Sequence, residues 1–229
     1  MLLRPRLSAI AAFVARGSRV ADIGTDHAYL PVFLLRTGIA EQVIAVDVHH
    51  GPYQAAVETV TSAGLVEAIS VRFGDGLTVL GQGEADTVVI AGMGGNTIVK
   101  ILEDSLPVTQ SLTRLILQPM VASATIRRWL AANGWCIVDE TLVEEDHILY
   151  EIIVAEQGTV FPYPPVFDDI GPKLWVQRHP LLRNHIERLI VQYSSILTEM
   201  SKSPAASSTI KYQEYARKIA ELEEKCACL

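Results

Sequence analysis

Short apolar runs alternate with helical patterns from Arg19 to about Glu156. Strands are predicted at Arg19–Gly24, Gln42–Asp47, Ile69–Phe73, Thr87–Ala91 and Leu112–Gln118. Helical spacing fills the gaps near Ala28–Thr37, Tyr53–Ala63, Asn96–Leu102 and Ser123–Asn133. Runs such as Val88, Val89, Ile90 and Leu115, Ile116, Leu117 are apolar on both faces. A strand needs that only when helices cover both sides of a parallel sheet. A doubly wound, Rossmann-like α/β domain is therefore expected. Ahead of it, Leu7, Ile10, Ala11 and Val14 mark one face of an amphipathic helix.

The end of this pattern differs. Trp135–Leu142 and Ile148–Ala155 both have strand character, with only Val143–His147 between them. Five residues hold no crossover helix, so this pair is expected to be antiparallel. A mostly parallel sheet closed by an antiparallel hairpin resembles that of class I S-adenosylmethionine (SAM)-dependent methyltransferases. Gly158–Pro165 is rich in chain breakers and suits a linker. Beyond it, Leu182, Ile186, Leu189, Tyr193, Ile196 and Met200 recur at alternating spacings of four and three. After Ser203–Ser208, residues Tyr212, Tyr215, Ile219, Leu222 and Cys226 do the same. Two such seams predict an antiparallel coiled-coil helical hairpin. The expected division is a methyltransferase domain at 1–158 and a helical hairpin at 159–229. The hairpin either packs only on itself or helps hold a substrate.

Composition narrows the function. The chain has 229 residues, 49% apolar and 20% charged, with three cysteines. That suits one core of ordinary size with an appendage and excludes a disordered or disulfide-built chain. No apolar run reaches the roughly 18 residues of a membrane span, so no membrane association is expected. Cys136, Cys226 and Cys228 form no framework, which fits the reducing cytoplasm. Arg4 and Arg6 before Leu7–Ala15 have the outline of a secretory leader, but a strand begins too soon to leave a cleavage site. Net charge is −7, with 10 Lys/Arg against 18 Asp/Glu in 1–158 and 9 against 8 in 159–229. Nucleic acid would then have to be held by local basic patches. Arg4, Arg6, Arg16 and Arg19 form one such cluster; Lys173, Arg178, Arg183 and Arg188 form another.

Chemistry gathers at the predicted carboxyl ends of the strands, where open α/β sheets bind ligands. The first strand runs into Asp22-Ile23-Gly24-Thr25-Asp26-His27-Ala28. Gly24 lets a ligand approach, whereas Asp26 at the next helix N-terminus would repel a pyrophosphate. SAM carries a sulfonium and an ammonium, and the acids Asp22 and Asp26 suit it better than a dinucleotide. Asp47, followed by Val48, is placed to accept from ribose hydroxyls, and Asp75 in Gly74-Asp75-Gly76 to meet the adenine amine. Each aspartate taken alone could equally cap a helix or a turn. The fourth strand ends Ala91-Gly92-Met93-Gly94-Gly95-Asn96, a corner whose glycines permit close approach of a planar base. The fifth ends Gln118-Pro119-Met120 at the same edge. Glu144, Glu145 and Asp146 sit in the predicted hairpin turn as solvated charge. The histidines have no metal-site spacing, so no metal is expected.

These segments together resemble the bacterial tRNA (adenine-N1)-methyltransferases that modify adenine 22. The resemblance spans most of 1–157 and rests on Asp22–Pro31, Gly74–Leu77, Ala91–Asn96 and Leu117–Pro119. It implies methyl transfer from SAM, leaving S-adenosylhomocysteine, to N1 of that adenine in tRNA. It further implies Asp26 as catalytic residue. Asp22, Gly24, Asp47, Val48, Gly74, Asp75, Gly76, Ala91, Gly92 and Met93 would hold cofactor. His27, Tyr29, Gly94, Gly95, Asn96, Gln118 and Pro119 would contact the acceptor, with Arg4 and Arg6 gripping tRNA. A monomeric enzyme is expected. Two positions depart from the family pattern: Met120 and Thr59 stand where asparagine is common. The competing readings are a SAM enzyme acting on another RNA or a small molecule, and a SAM-binding interaction module without turnover.

Overall fold

The structure, a computed structural model, describes residues 2–229. Two compact units divide the chain at Phe161/Pro162. The first contains α1 (Pro5–Ala12), β1 (Ser18–Ile23), α2 (Tyr29–Arg36), β2 (Ala40–Asp47), α3 (His50–Ala63) and β3 (Ile69–Phe73). It continues through a 3-10 turn at Gly76–Val79, β4 (Thr87–Gly94), α4 (Gly95–Glu103), α5 (Leu106–Thr109), β5 (Arg114–Val121) and α6 (Ser123–Ala132). It closes with β6 (Trp135–Glu145) and β7 (Ile148–Gln157).

Among the described residues these strands form one seven-stranded sheet in the order β3-β2-β1-β4-β5-β7-β6. β1 through β5 pair in parallel, while β7 runs antiparallel to both β5 and β6. The apolar runs lie at the centre: Val88, Val89, Ile90, Leu115, Ile116 and Leu117 are all fully buried. Their side chains divide between two cores, one on each face of the sheet. The order reverses direction between β1 and β4, which opens a crevice at their carboxyl ends.

Two sequence expectations change. The hairpin turn is Asp146–His147 alone, both with positive φ (50° and 63°). A tight turn of that hand matches the strand twist and lets the strands run on. Glu144 and Glu145 are consequently ladder residues, paired with Leu149 and Ile148, not turn residues. The first helix also stops at Ala12, where Phe13 caps it, short of Val14, the last residue of the expected apolar face.

A pair of charged side chains, Arg127 and Glu140, lies at full burial. Arg127 on α6 donates to Glu140 of β6 and Glu151 of β7, each at 2.7 Å. Arg127 and Glu140 are almost fully excluded from solvent. Burial opposes the guanidinium's charge, but the two carboxylates outweigh it and hold its pKa above the usual arginine value. Ser123 at the start of α6 also donates to Glu151 at 2.5 Å. The cluster ties α6 to the closing hairpin.

The second unit holds α7 (Val166–Ile170), α8 (Pro172–Val176), α9 (Leu182–Ser201), α10 (Pro204–Ser207) and α11 (Ile210–Ala227). Thr209 caps α11 by accepting from the Tyr212 N–H. Tyr193 meets Tyr215 with ring centres 5.3 Å apart, and Arg183 donates to Cys226 Sγ at 3.7 Å. Residues early in α9 thus meet residues late in α11, which makes the two helices antiparallel. Buried Asp169 accepts from Tyr193 at 2.6 Å and from Lys218 at 2.7 and 2.9 Å, joining α7, α9 and α11.

Candidate functional site

The loop leaving β1 is strained in a repeating way. Gly24, Asp26 and Ala28 have φ of 75°, 54° and 54°, so non-glycine residues occupy the left-handed region twice within three positions. Such strain persists only where surrounding bonds enforce it. Here the Gly24 and Thr25 N–H groups both donate to the Val46 carbonyl, at 2.9 and 3.0 Å. The Asp26 N–H donates to Asp47 Oδ2 at 3.2 Å, and the His49 N–H to Asp47 Oδ1 at 2.9 Å. Asp47 therefore anchors two loops. Each of its oxygens has further acceptor capacity.

Asp22 lies under this loop and is only 6% exposed. The Thr25 hydroxyl donates to its Oδ2 at 2.7 Å. Burial pushes the Asp22 carboxyl up to about 6; the Thr25 bond opposes this, Asp47 adds to it, and Arg6 opposes it.

A cavity of about 530 Å³ opens at the carboxyl ends of β1 to β4. Gly24, Asp47, Val48, Gly74, Asp75, Gly76, Ala91, Gly92 and Met93 line it. Every residue expected to hold cofactor is there except Asp22, which sits behind the wall. Sequence reasoning missed His49 after β2, and Thr97, Lys100, Ile101 and Asp104 on α4 and at its end, which also line the wall. Lys100 and Asp104 form an i,i+4 ion pair, a spacing visible in the sequence. A methyl group added at Gly24 would run into the Met93 side chain, and one at Gly76 would lie 2.9 Å from Ile101. The cavity thus depends on missing side chains. Its fixed carboxylates outnumber its one lysine, and that lysine is already paired. A ligand bearing positive charge fits this donor set, and a pyrophosphate does not. The residues suit SAM.

The rim beside the cavity carries the expected acceptor residues. Asp26 and His27 project into solvent, with Asp26 Oδ1 3.7 Å from His27 Nε2. His27 stacks on Tyr29 with ring centres 5.2 Å apart and planes 16° from parallel, and Tyr29 is half-exposed. Asn96 is exposed on the first turn of α4.

Other expectations at this corner change. A methyl group at Gly95 would overlap the carbonyl of Ala122, so Gly95 serves the packing of α4 against the β5–α6 corner. It is buried and offers no surface to a base. Gly94 has ordinary neighbours, Val121 and Thr97. At Gly92, with φ of 78°, an added methyl group would touch only Arg6 Nη1, at an ordinary 3.8 Å. Pro119 is buried beside Gln118, and Gln118 itself is fully buried and engaged at both ends of its amide. It cannot present that amide to a base. Its Nε2 also lies 3.7 Å from Met120 Sδ, so the departure at Met120 places a weak acceptor there.

Nor do Arg4 and Arg6 form a free basic patch. Arg4 pairs with Asp146 at 3.1 Å. Arg6 turns inward, donating to Gln118 Oε1 at 2.7 Å, with its guanidinium 5.4 Å from the Tyr150 ring centre. Its partners are 112 or more residues away in sequence, which left no local signal.

Residues 3–153 match the model of a methyltransferase domain family. The chain is 44% identical to the tRNA (adenine(22)-N(1))-methyltransferase of Bacillus subtilis (strain 168) over 156 residues, spanning 68% of this chain and 66% of that protein. The crystal structure of the B. subtilis adenine-22 N1 tRNA methyltransferase TrmK superposes with a TM-score of 0.88 at 34% identity, covering 98% of this chain and 99% of that one. A Streptococcus pneumoniae relative solved in complex with S-adenosyl-L-methionine gives 0.82 at 33% identity, covering 96% and 98%. The protein belongs to the class I methyltransferases and, among them, to the bacterial tRNA (adenine-22-N1)-methyltransferase family.

Proposed function

We propose that this protein transfers a methyl group from SAM to N1 of adenine 22 in tRNA. The observation that carries this reading is the convergence of Gly24, Asp47, Asp75 and Gly92 on one acid-rimmed cavity, in a chain superposable nearly end to end on a tRNA methyltransferase of that specificity. SAM, when bound, supplies a methyl group on a positively charged sulfur. Asp47 and Asp75 would hold the nucleoside part, while buried Asp22 contributes negative charge behind the wall.

The acceptor needs little chemical help. N1 of adenine has a free lone pair, so catalysis rests mainly on orientation. Alkylation leaves the base cationic, and a fixed carboxylate nearby stabilises charge that develops only in the transition state. Asp26 takes that role, since its backbone is pinned by Asp47 while its carboxylate faces the open rim. The half-exposed His27–Tyr29 stack offers a platform for an unstacked base. The α9–α11 pair forms a coiled-coil hairpin, and its Arg183 and Arg188 contact the tRNA backbone. The protein acts as a cytoplasmic monomer.

Incubation of the purified protein with methyl-labelled SAM and either total tRNA or small-molecule acceptors tests this. Label should enter tRNA alone. Incorporation into small acceptors, or SAM binding without any transfer, would contradict it.

A further inference from the structure

Gln118 is a fully buried amide on β5 whose hydrogen bonds reach α1, β4 and its own strand. Its Oε1 accepts from Arg6 Nη1 at 2.7 Å and from the Gly92 N–H at 3.1 Å. Its Nε2 donates to the Pro119 carbonyl at 2.9 Å. Arg6 is fixed as firmly. Its own N–H donates to Glu145 at 2.9 Å, and its guanidinium lies 5.4 Å from the Tyr150 ring centre, within cation–π range. An arginine that grips phosphate keeps its planar fork free for bidentate contact. This one is spent on an interior amide.

We propose that Arg6 is a positioning residue, which through Gln118 holds the Gly92 corner between the cofactor cavity and the acceptor rim. The inference rests on the methyltransferase reading for its catalytic consequence, though not for its geometry. A side-chain amide has an acceptor end and a donor end of nearly equal shape, and its orientation follows its partners. Arg6 can only donate, so it forces the oxygen toward itself and toward Gly92. Without Arg6, the buried oxygen loses its charged donor, and only the Gly92 N–H and the Pro119 carbonyl are left to hold the amide. The link from α1 to the Gly92 corner is then gone, and the corner can shift with the amide. Gly92 has φ of 78° and no side chain to anchor it, so this hydrogen bond is a principal restraint on its position.

The test compares Arg6→Met and Arg6→Lys with the unaltered full-length protein. Methyl transfer is followed against tRNA concentration and salt, and exchange of the Gly92 amide proton by NMR. Met keeps the aliphatic stem without a donor, whereas Lys keeps a charged donor for Gln118 but not the planar contact on Tyr150. Arg6→Met should lose about 10- to 100-fold in kcat, as expected for an ångström-scale misplacement, and Arg6→Lys should recover part of that loss. KM for tRNA should stay within about twofold and its salt slope should not change, because no phosphate contact is removed. Gly92 should exchange at least about tenfold faster in Arg6→Met and less so in Arg6→Lys, since exchange follows local opening. Gln118→Glu, which keeps both acceptor bonds, should retain Gly92 protection, and Gln118→Leu should lose it. A raised KM with unchanged kcat in Arg6→Met, or an unaltered Gly92 exchange rate in that variant, would overturn the proposal. If the unaltered protein transfers no methyl to tRNA, the functional reading fails, and the Gly92 exchange rates still decide the role of Arg6.

Discussion

The Asp26 backbone N–H donates to the Asp47 carboxylate at 3.2 Å, so the residue at the rim is held by a residue that lines the cavity. This bond joins the acceptor side of the site to the cofactor side. It also helps keep Asp26 at a φ of 54°, which an aspartate leaves readily once released. The two positions should therefore behave differently. Asp26→Ala should bind SAM within about threefold of the parent by calorimetry, yet lose on the order of 10²–10³ in kcat, the magnitude seen when transition-state charge stabilisation is removed. Asp47→Ala should impair both binding and turnover. Near-parental turnover in Asp26→Ala would remove its assigned role.

Asp22 should make cofactor binding pH-dependent. Its carboxyl sits at about 6, raised first by burial and also by Asp47. A cation bound nearby favours the ionised form, so SAM affinity should fall as pH drops through about 6, with proton release on binding. The same shift has a stability consequence. The folded state holds the proton more tightly than the unfolded chain, so stability is lost as pH rises from about 4 to 6. By neutral pH the cost is on the order of 2–3 kcal/mol. Asp22→Asn should accordingly raise the melting temperature at pH 7.5 but not at pH 4, while weakening SAM binding. Equal melting shifts at both pH values would show that Asp22 titrates normally.

Two glycines of one corner should separate stability from function. Gly95→Ala forces a methyl group onto the Ala122 carbonyl, and overpacking against backbone should destabilise by about 1–3 kcal/mol or more. Gly92→Ala has room for the added methyl and costs only its left-handed backbone, about 1–2 kcal/mol. It should remain folded and lose activity through displacement of the corner. Urea denaturation paired with rate measurements checks both.

The buried charge cluster should be sensitive to loss of any one member. Arg127→Ala removes the guanidinium that bonds buried Glu140 and partly buried Glu151, which should cost about 3–5 kcal/mol. Replacing Arg127 and Glu140 together by apolar residues of similar size should cost much less. Thermal denaturation of the single and double variants gives the comparison.

Local pattern made the alternating strands and helices legible, and with them the sheet edge where Gly24, Asp47, Gly74 and Gly92 come together. Those residues follow directly on strands, so knowing the strands locates them. Features set by distant partners were not legible. Arg127 stands beside Arg128 in a helix and resembles any solvated pair until Glu140 and Glu151 fold over it. Arg6 looks like a surface cation until Gln118 and Tyr150 arrive from remote strands. The Asp146–His147 turn contains no glycine to announce its left-handed backbone. Gly95 reads as a base-contact residue, and only the approach of Ala122 shows that it packs helix against loop.

Mass-spectrometric mapping of methylated nucleosides tests the central claim most directly, using two tRNA transcripts that differ only in carrying adenine or guanine at position 22. After incubation with the protein and SAM, 1-methyladenosine should be found at position 22 of the first transcript and nowhere in the second. Equal methylation of both transcripts, or a methyl group at any other atom or position, would contradict the account.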